Sequence, residues 1–192
     1  MRVLGIGGSP RKGGNTDTLM ARFLEGCASQ AAEVRTLSAC ALKIAGCRHC
    51  DACFAKGSCI VQDDMQMVYG EMEAADGIVI ASPVQFMSVS AQLKALIDRC
   101  QALWARKYIL KVPPLGDTRP RRGFFLSVSG RRTVPNLFDG EVVIIKTLFH
   151  IIDVKYRGDI LLPGIDARGD ILKYPQFLEQ AYLAGQQFVR EP

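Results

Sequence analysis

The sequence predicts a doubly wound α/β fold on one five-stranded parallel sheet. Three observations carry this. Short apolar runs of strand length alternate five times with stretches of helical spacing. Runs such as Gly77 to Ala81 are almost continuously aliphatic, as in strands covered on both faces. The loops richest in glycine and polar residues follow the first, third and fourth strands, at the carboxyl edge where such sheets bind ligands.

Arg2 to Ile6 is the first strand, followed by glycines. Asn15 to Ser29 is a helix by the spacing of Leu19, Phe23, Leu24 and Cys27. Glu33 to Leu37 is the second strand, and a cysteine-rich loop covers Gly46 to Val61. Asp63 or Asp64 caps a helix carrying Met65, Val68, Met72 and Ala75. Gly77 to Ala81 is the third strand, and Val89 to Trp104 is one amphipathic helix with Leu93, Leu96, Ile97 and Leu103 on one side. A proline-rich loop spans Lys111 to Pro120. Gly123 to Val128 is the fourth strand, Leu137 to Ile151 a helix, Asp153 to Leu162 the fifth strand and Gly169 to Arg190 the last helix. Without a repeat, a low-complexity stretch or a linker, residues 1–192 read as a single domain.

With 192 residues, 48% apolar and 22% charged, the chain has material for a sizeable core and is not disordered. The most apolar stretch, Val142 to Ile152, is interrupted by Lys146 and His150, so no membrane span is expected. The first residues form a strand running into glycines rather than a signal peptide, and a cytoplasmic location is expected. The net charge of +5 is dispersed, with small clusters at Arg121-Arg122 and Arg131-Arg132. That suits a phosphorylated small molecule; aromatics are too few for a nucleic-acid footprint.

The first loop reads Gly7-Gly8-Ser9-Pro10-Arg11-Lys12-Gly13-Gly14-Asn15-Thr16. Its glycines, Gly14 included, let the backbone approach a ligand. Ser9, Asn15 and Thr16 offer short hydrogen-bonding side chains, Arg11 a charge-assisted contact, and the helix start its free amides. The pattern is neither a Walker loop nor the dinucleotide fingerprint.

This segment, from Gly8 to Thr16, resembles the FMN phosphate loop of the NADPH-dependent FMN reductase family. Ser82-Pro83-Val84-Gln85-Phe86, followed by Val89 to Arg99, resembles that family's second flavin segment. The resemblance implies a flavodoxin-like sheet of order 2-1-3-4-5 and bound FMN. Ser9, Arg11, Gly14, Asn15 and Thr16 would then surround the phosphate. Pro83, Val84, Gln85 and Phe86 would face the ring, and Ser127 to Gly130 would border its other edge. It also implies NAD(P)H as donor, a small-molecule acceptor such as a flavin, quinone or nitro compound, and a homodimer or homotetramer. The family often has Tyr-Phe-Gly-Asn where this chain has Gln85-Phe86-Met87-Ser88, which removes an aromatic and a glycine beside the ring.

Cys47, Cys50, Cys53 and Cys59 give Cys-x2-Cys-x2-Cys-x5-Cys within one loop, near a bacterial ferredoxin spacing. That points to a 4Fe-4S cluster ahead of zinc, which favours two separated pairs, or of uncoordinated thiols. Arg48, His49 and Lys56 between the ligands would favour the reduced cluster, and Gly46 and Gly57 would permit the turns. The loop makes the chain resemble the iron-sulfur flavoproteins, which opens a second role: an electron carrier fed by a ferredoxin-like donor. Cys27, Cys40 and Cys100 are expected to be buried thiols and His150 a hydrogen-bonded core residue. Trp104 suits either the core or a subunit contact, and Asp98-Arg99 either a salt bridge near the flavin or a solvated helix face.

Overall fold

A computed structural model describes residues 1–132 and 134–190. Five strands, β1 (Arg2–Gly7), β2 (Glu33–Ser38), β3 (Gly77–Pro83), β4 (Arg121–Ser129) and β5 (Val154–Pro163), form one parallel sheet in the order 2-1-3-4-5. This is the flavodoxin-like order, whose switch point lies between β1 and β3.

Alternation along the strands feeds two cores. On one face Val3, Val79, Ala81, Phe124 and Leu126 pack with α1 (Asn15–Ala28) and α7 (Pro175–Arg190). On the other face Leu4, Ile6, Ile78, Ile80 and Phe125 meet α3 (Met65–Ala74), α4 (Ala91–Arg99), α5 (Gln101–Tyr108) and α6 (Asp139–Ile151). Helices α1 and α7 cross closely enough that a Cβ at Gly185 would overlap the Phe23 carbonyl, and one at Gly26 the Tyr182 carbonyl.

Three boundaries differ from expectation. Val89 to Trp104 is not one helix. The Arg99 carbonyl accepts from the Tyr69 hydroxyl at 2.6 Å instead of continuing the helical ladder, and the chain breaks at Cys100 into α4 and α5. The last helix starts at Pro175, after a 3-10 turn at Asp170–Lys173. Tyr174 precedes a proline and leaves the helical region, while proline suits the first helical turn. The cysteine-rich loop contains a one-turn helix, α2 (Cys53–Lys56). Among the described residues no helix is long and apolar enough to cross a membrane.

Two side-chain expectations also change. His150 is exposed on α6 and shares a 3.2 Å hydrogen bond with the Tyr108 hydroxyl. Cys27 and Cys100 are buried, and burial pushes each thiol up to about 12, whereas Cys40 is only half-buried. Trp104 is half-buried between the rings of Phe54 and Tyr108.

Candidate functional site

A cleft opens at the carboxyl ends of β1, β3 and β4. Its lining includes Ser9, Arg11, Asn15, Thr16, Pro83, Val84, Gln85 and Gly130. The sequence therefore located most of the wall, although its parts lie up to 121 residues apart (Ser9 to Gly130).

The loop after β1 is drawn into a tight cradle. The Gly8 amide donates to the Ala81 carbonyl at 2.7 Å, tying the loop to β3. A Cβ at Gly8 would stand 2.9 Å from the Leu93 side chain, so glycine lets the start of α4 come close. Gly13 sits at φ +66, a left-handed turn that favours glycine. Gly14 donates to the Arg11 carbonyl at 2.8 Å, and a Cβ there would strike that same oxygen. Gly14 thus shapes the turn. The Ser9 hydroxyl is used within the loop, accepting from the Arg11 amide at 3.2 Å. The amides of Asn15 and Thr16, at the first turn of α1, have no acceptor among the described residues. They make the helix start an anion-binding end.

Asn15 has a different job from the one its side chain suggested. Its Nδ2 donates to the Ala167 carbonyl at 2.9 Å, and its Oδ1 accepts from the amides of Gly169 and Ile171 at 3.0 and 3.3 Å. The carboxamide fastens the loop to the segment after β5, leaving its backbone amide for a ligand. Arg11 Nη1 reaches the Asp166 carbonyl at 3.2 Å, and Arg168 reaches the Lys12 carbonyl at 2.8 Å. Sequence reasoning missed this fourth wall, including Ile165 and Asp166, because nothing in its local pattern marks it as near the first loop. Gly130 is needed there: a Cβ would lie 2.8 Å from the Asp166 carboxylate.

Two expected contacts are not brought to the cleft. Phe86 stands fully exposed beyond it. Gln85 to Ser88 close a hairpin turn through backbone bonds of 2.8 and 3.0 Å, with Phe86 and Met87 at φ 49 and 61. This is the primed turn whose two central residues need positive φ, which directs Phe86 outward. The Val84 and Gln85 amides are engaged, by the Val128 and Ser88 carbonyls. The Phe86 and Met87 amides have no acceptor among the described residues.

Ser127 points away from the cleft, donating to Glu141 Oε2 at 2.6 Å. Glu141 is fully buried, and its Oε1 has no partner. Burial pushes its carboxyl up to about 8, while the bond from Ser127 pulls the other way. Nothing in the local pattern marks this group, which lies in the first turn of α6.

The four cysteines of the loop line one surface pocket, together with Arg48, His49 and Arg99. Cys47 and Cys50 are exposed; Cys53 and Cys59 are half-buried. Burial raises the Cys53 thiol, and charge on Cys59, Cys47 and Cys50 raises it further. Such mutual repulsion among thiolates is what a bound metal cluster relieves, so the donor set fits one chemically. The space between them is small, about 20 Å³. Among the described residues no three Cys, His, Asp or Glu side chains are already gathered for a metal ion. Gly57 takes φ 65 as expected, whereas Gly46 does not turn left-handed; His49 and Asp51 do, at φ 50 and 55. Phe54 packs on Trp104 with ring centroids 5.8 Å apart, anchoring the loop to α5.

The cleft, its loop and the sheet order agree with what sequence comparison finds. Residues 1–133 match the profile described as NADPH-dependent FMN reductase. The chain belongs to that family. It is 38% identical over 132 residues to an iron-sulfur flavoprotein of Methanosarcina thermophila, covering 69% of this chain and 65% of the relative. It is also 38% identical over 149 residues to an iron-sulfur flavoprotein of Methanocaldococcus jannaschii, covering 77% and 69%. Across such archaeal relatives the matched segment is 45–69% of the relative's length. Among solved structures, the NAD(P)H:quinone oxidoreductase of Methanothermobacter marburgensis superposes with a TM-score of 0.69 at 16% identity, covering 100% of this chain and 98% of that one. At that identity the likeness is one of fold. The four-cysteine pocket lies on the sheet face opposite α1, with Cys53 and Cys59 packed against the core that α3 to α6 cover.

Proposed function

We propose that this member of the NADPH-dependent FMN reductase family is an FMN-dependent oxidoreductase of the iron-sulfur flavoprotein type. It would pass electrons from NAD(P)H to a small-molecule acceptor such as a flavin, quinone or nitro compound. The observation that carries the reading is the cradle at the start of α1: unpartnered amides of Asn15 and Thr16, with Arg11 beside them, at the sheet's switch point. Bound there, FMN supplies the hydride and electron chemistry. The chain supplies the rest. Ser9 and Gly14 hold the loop's shape, Arg11 and Thr16 meet the phosphate, and Asn15 contributes its amide while its side chain fixes the wall. Pro83, Val84 and Gln85 line one side of the ring and Gly130 the other, with the Phe86 and Met87 amides as the donors left for it.

Cys47, Cys50, Cys53 and Cys59 would hold a 4Fe-4S cluster, which supplies one-electron chemistry. The names of the archaeal relatives support this, as does the place of all four cysteines in the lining of one pocket. A carrier fed by a ferredoxin-like donor is the second reading. It is favoured by the Gln85–Ser88 turn, which holds Phe86 away from the cleft instead of giving an aromatic wall. The exposed Phe86 also suits a homodimer or homotetramer with the cleft at its boundary. Residues 1–192 would act as a single domain in the cytoplasm, whose reducing conditions keep these thiols free.

Replacing Arg11 by Ala tests the cradle. Arg11 is exposed and holds one backbone carbonyl, so its loss spares the core. FMN affinity should fall by about 1.5–3 kcal/mol, the scale of a hydrogen bond to a charged group, or roughly ten- to a hundredfold. Fluorescence titration of the apoprotein reads this directly; unchanged affinity would move the phosphate elsewhere.

A further inference from the structure

Asp98-Arg99 was expected either as a salt bridge near the flavin or as a solvated helix face; the two residues divide. Asp98 pairs with Lys94 on the surface, while Arg99, at the end of α4, is only 1% exposed. Its guanidinium sits between the two roots of the cysteine-rich loop. Nη1 donates to the Ala45 carbonyl at 2.9 Å, the residue before the loop. Nη2 donates to the Val61 carbonyl at 3.1 Å, the loop's last residue. Both nitrogens also bond Asp63, at 2.7 and 3.1 Å, and Asp63 in turn accepts from the Ala45 amide at 2.9 Å. One buried ion pair therefore closes a loop of 16 residues, Gly46 to Val61, by its ends.

Two further observations point from this clasp to the cysteines. Arg99 lines the same pocket as Cys47, Cys50, Cys53 and Cys59. Its Nε is buried and has no hydrogen-bond partner among the described residues. A buried ion pair is weak as a source of stability, since apolar residues of similar volume often do as well. A fixed positive charge beside four thiols has a chemical use instead: charge and hydrogen bonding around an iron-sulfur cluster set its potential.

Helix α4 also joins the two sites. At its start the Ser90 hydroxyl accepts from the Leu93 amide at 3.3 Å, and the Ser90 amide donates to Ser82 Oγ at 3.1 Å, next to the Pro83–Gln85 wall. At its end stands Arg99. The helix has nine residues, about 14 Å of rise.

We propose that Arg99 is the positioning residue of the cysteine pocket: paired with Asp63, it clasps both ends of the loop and supplies the buried positive charge against which the four thiolates hold an iron-sulfur cluster. This rests on the reading that those cysteines bind a cluster. Loss of the charge disfavours the reduced cluster, which is the more negative form. Loss of the two-carbonyl clasp with the charge retained loosens the loop instead.

The test compares the full-length wild type with Arg99→Gln and Arg99→Lys, each loaded anaerobically with iron and sulfide. The readouts are iron and FMN per chain, the cluster's midpoint by redox titration followed by electron paramagnetic resonance, and iron loss to a chelator. In Arg99→Gln the ratio of reduced to oxidised cluster at the wild-type midpoint should fall about tenfold, equivalent to 59 mV for one electron. In Arg99→Lys that ratio should stay within about threefold of wild type while iron is lost about tenfold faster, in line with the weaker hold left when a supporting shell is removed. FMN per chain should match wild type in both. If wild type takes up no iron, the cluster reading itself falls, and this inference with it. If wild type binds four irons and Arg99→Gln keeps its midpoint, the inference alone is overturned. Should Arg99→Gln fail to fold, Arg99→Lys decides: wild-type iron retention there overturns the clasp.

Discussion

Cys50→Ser protein should retain its FMN and lose the iron of the proposed cluster. Cys50 is exposed, so the change removes a thiol without opening the core. The proposed phosphate cradle follows β1 and the proposed ring wall follows β3, whereas Cys50 lies in the loop after β2. Iron in anaerobically loaded protein should drop from about four per chain, as a 4Fe-4S cluster requires, to a small fraction of that. Stopped-flow absorbance then separates the two donors. Flavin bleaching by a reduced one-electron carrier of the ferredoxin class should slow at least about tenfold, if the cluster lies on that path. Bleaching by NADPH should keep the wild-type rate, since it needs only the nicotinamide against the flavin. The oligomeric state is to be compared in the same samples, because a loop that helps build a subunit boundary would alter both donors together. A variant that keeps its flavin and still takes electrons from the carrier at the wild-type rate would remove the cysteine pocket from the electron path.

Glu141→Gln should make the fold markedly less sensitive to alkaline pH. Glu141 has one oxygen bonded to Ser127 and the other without a partner, and it is pushed up to about 8 chiefly by burial. An unfolded glutamate titrates near 4.3. The folded state therefore binds this proton more tightly than the unfolded chain does. Its contribution is fully present below about pH 4.3 and is lost as pH rises through about 8. At pH 7 the loss is on the order of 3 kcal/mol. Glutamine imitates the protonated acid at every pH. Thermal unfolding of the wild type should fall by roughly 10 °C between pH 5 and 8.5 from this group, at about 2–4 °C per kcal/mol for a chain of this size. The variant should lack that component. Parallel pH profiles for the two proteins would show that Glu141 is not the group responsible. Because Ser82 and Ser127 are register partners just below the ring wall, the same titration should be repeated with FMN bound.

Much of the fold was legible because strand burial on both faces leaves a strong signal. Val79 and Ala81 face one helix layer and Ile78 and Ile80 the other, so the whole run must be apolar. The phosphate loop was legible for a related reason: closeness of Gly8 to Leu93 and the positive φ of Gly13 both restrict the residue type. What stayed hidden was long-range. Asn15 looked like a ligand residue, yet its carboxamide is taken by Ala167, Gly169 and Ile171, over 150 residues on. The role of Arg99, read with Asp98 as a salt bridge near the flavin or a solvated helix face, was hidden because its partner Asp63 and the carbonyls it holds lie 36 to 54 residues away. The break at Cys100 was invisible for the same reason, since Tyr69 from another helix takes the Arg99 carbonyl. The outward turn of the Phe86 side chain was hidden because a primed turn needs positive φ at both central residues, and Phe86 and Met87 carry none of the Asn, Asp or Gly signals for it.

The central claim is that the start of α1 is a phosphate site and that the phosphate is FMN's. Its most direct test is equilibrium binding of FMN and of riboflavin to the same apoprotein. The two ligands share the ring and differ only at the group the cradle is read to hold. FMN should bind at least about a hundredfold more tightly, the scale of two hydrogen bonds to a charged group at Arg11 and the helix amides. Equal affinity for the two would contradict the account.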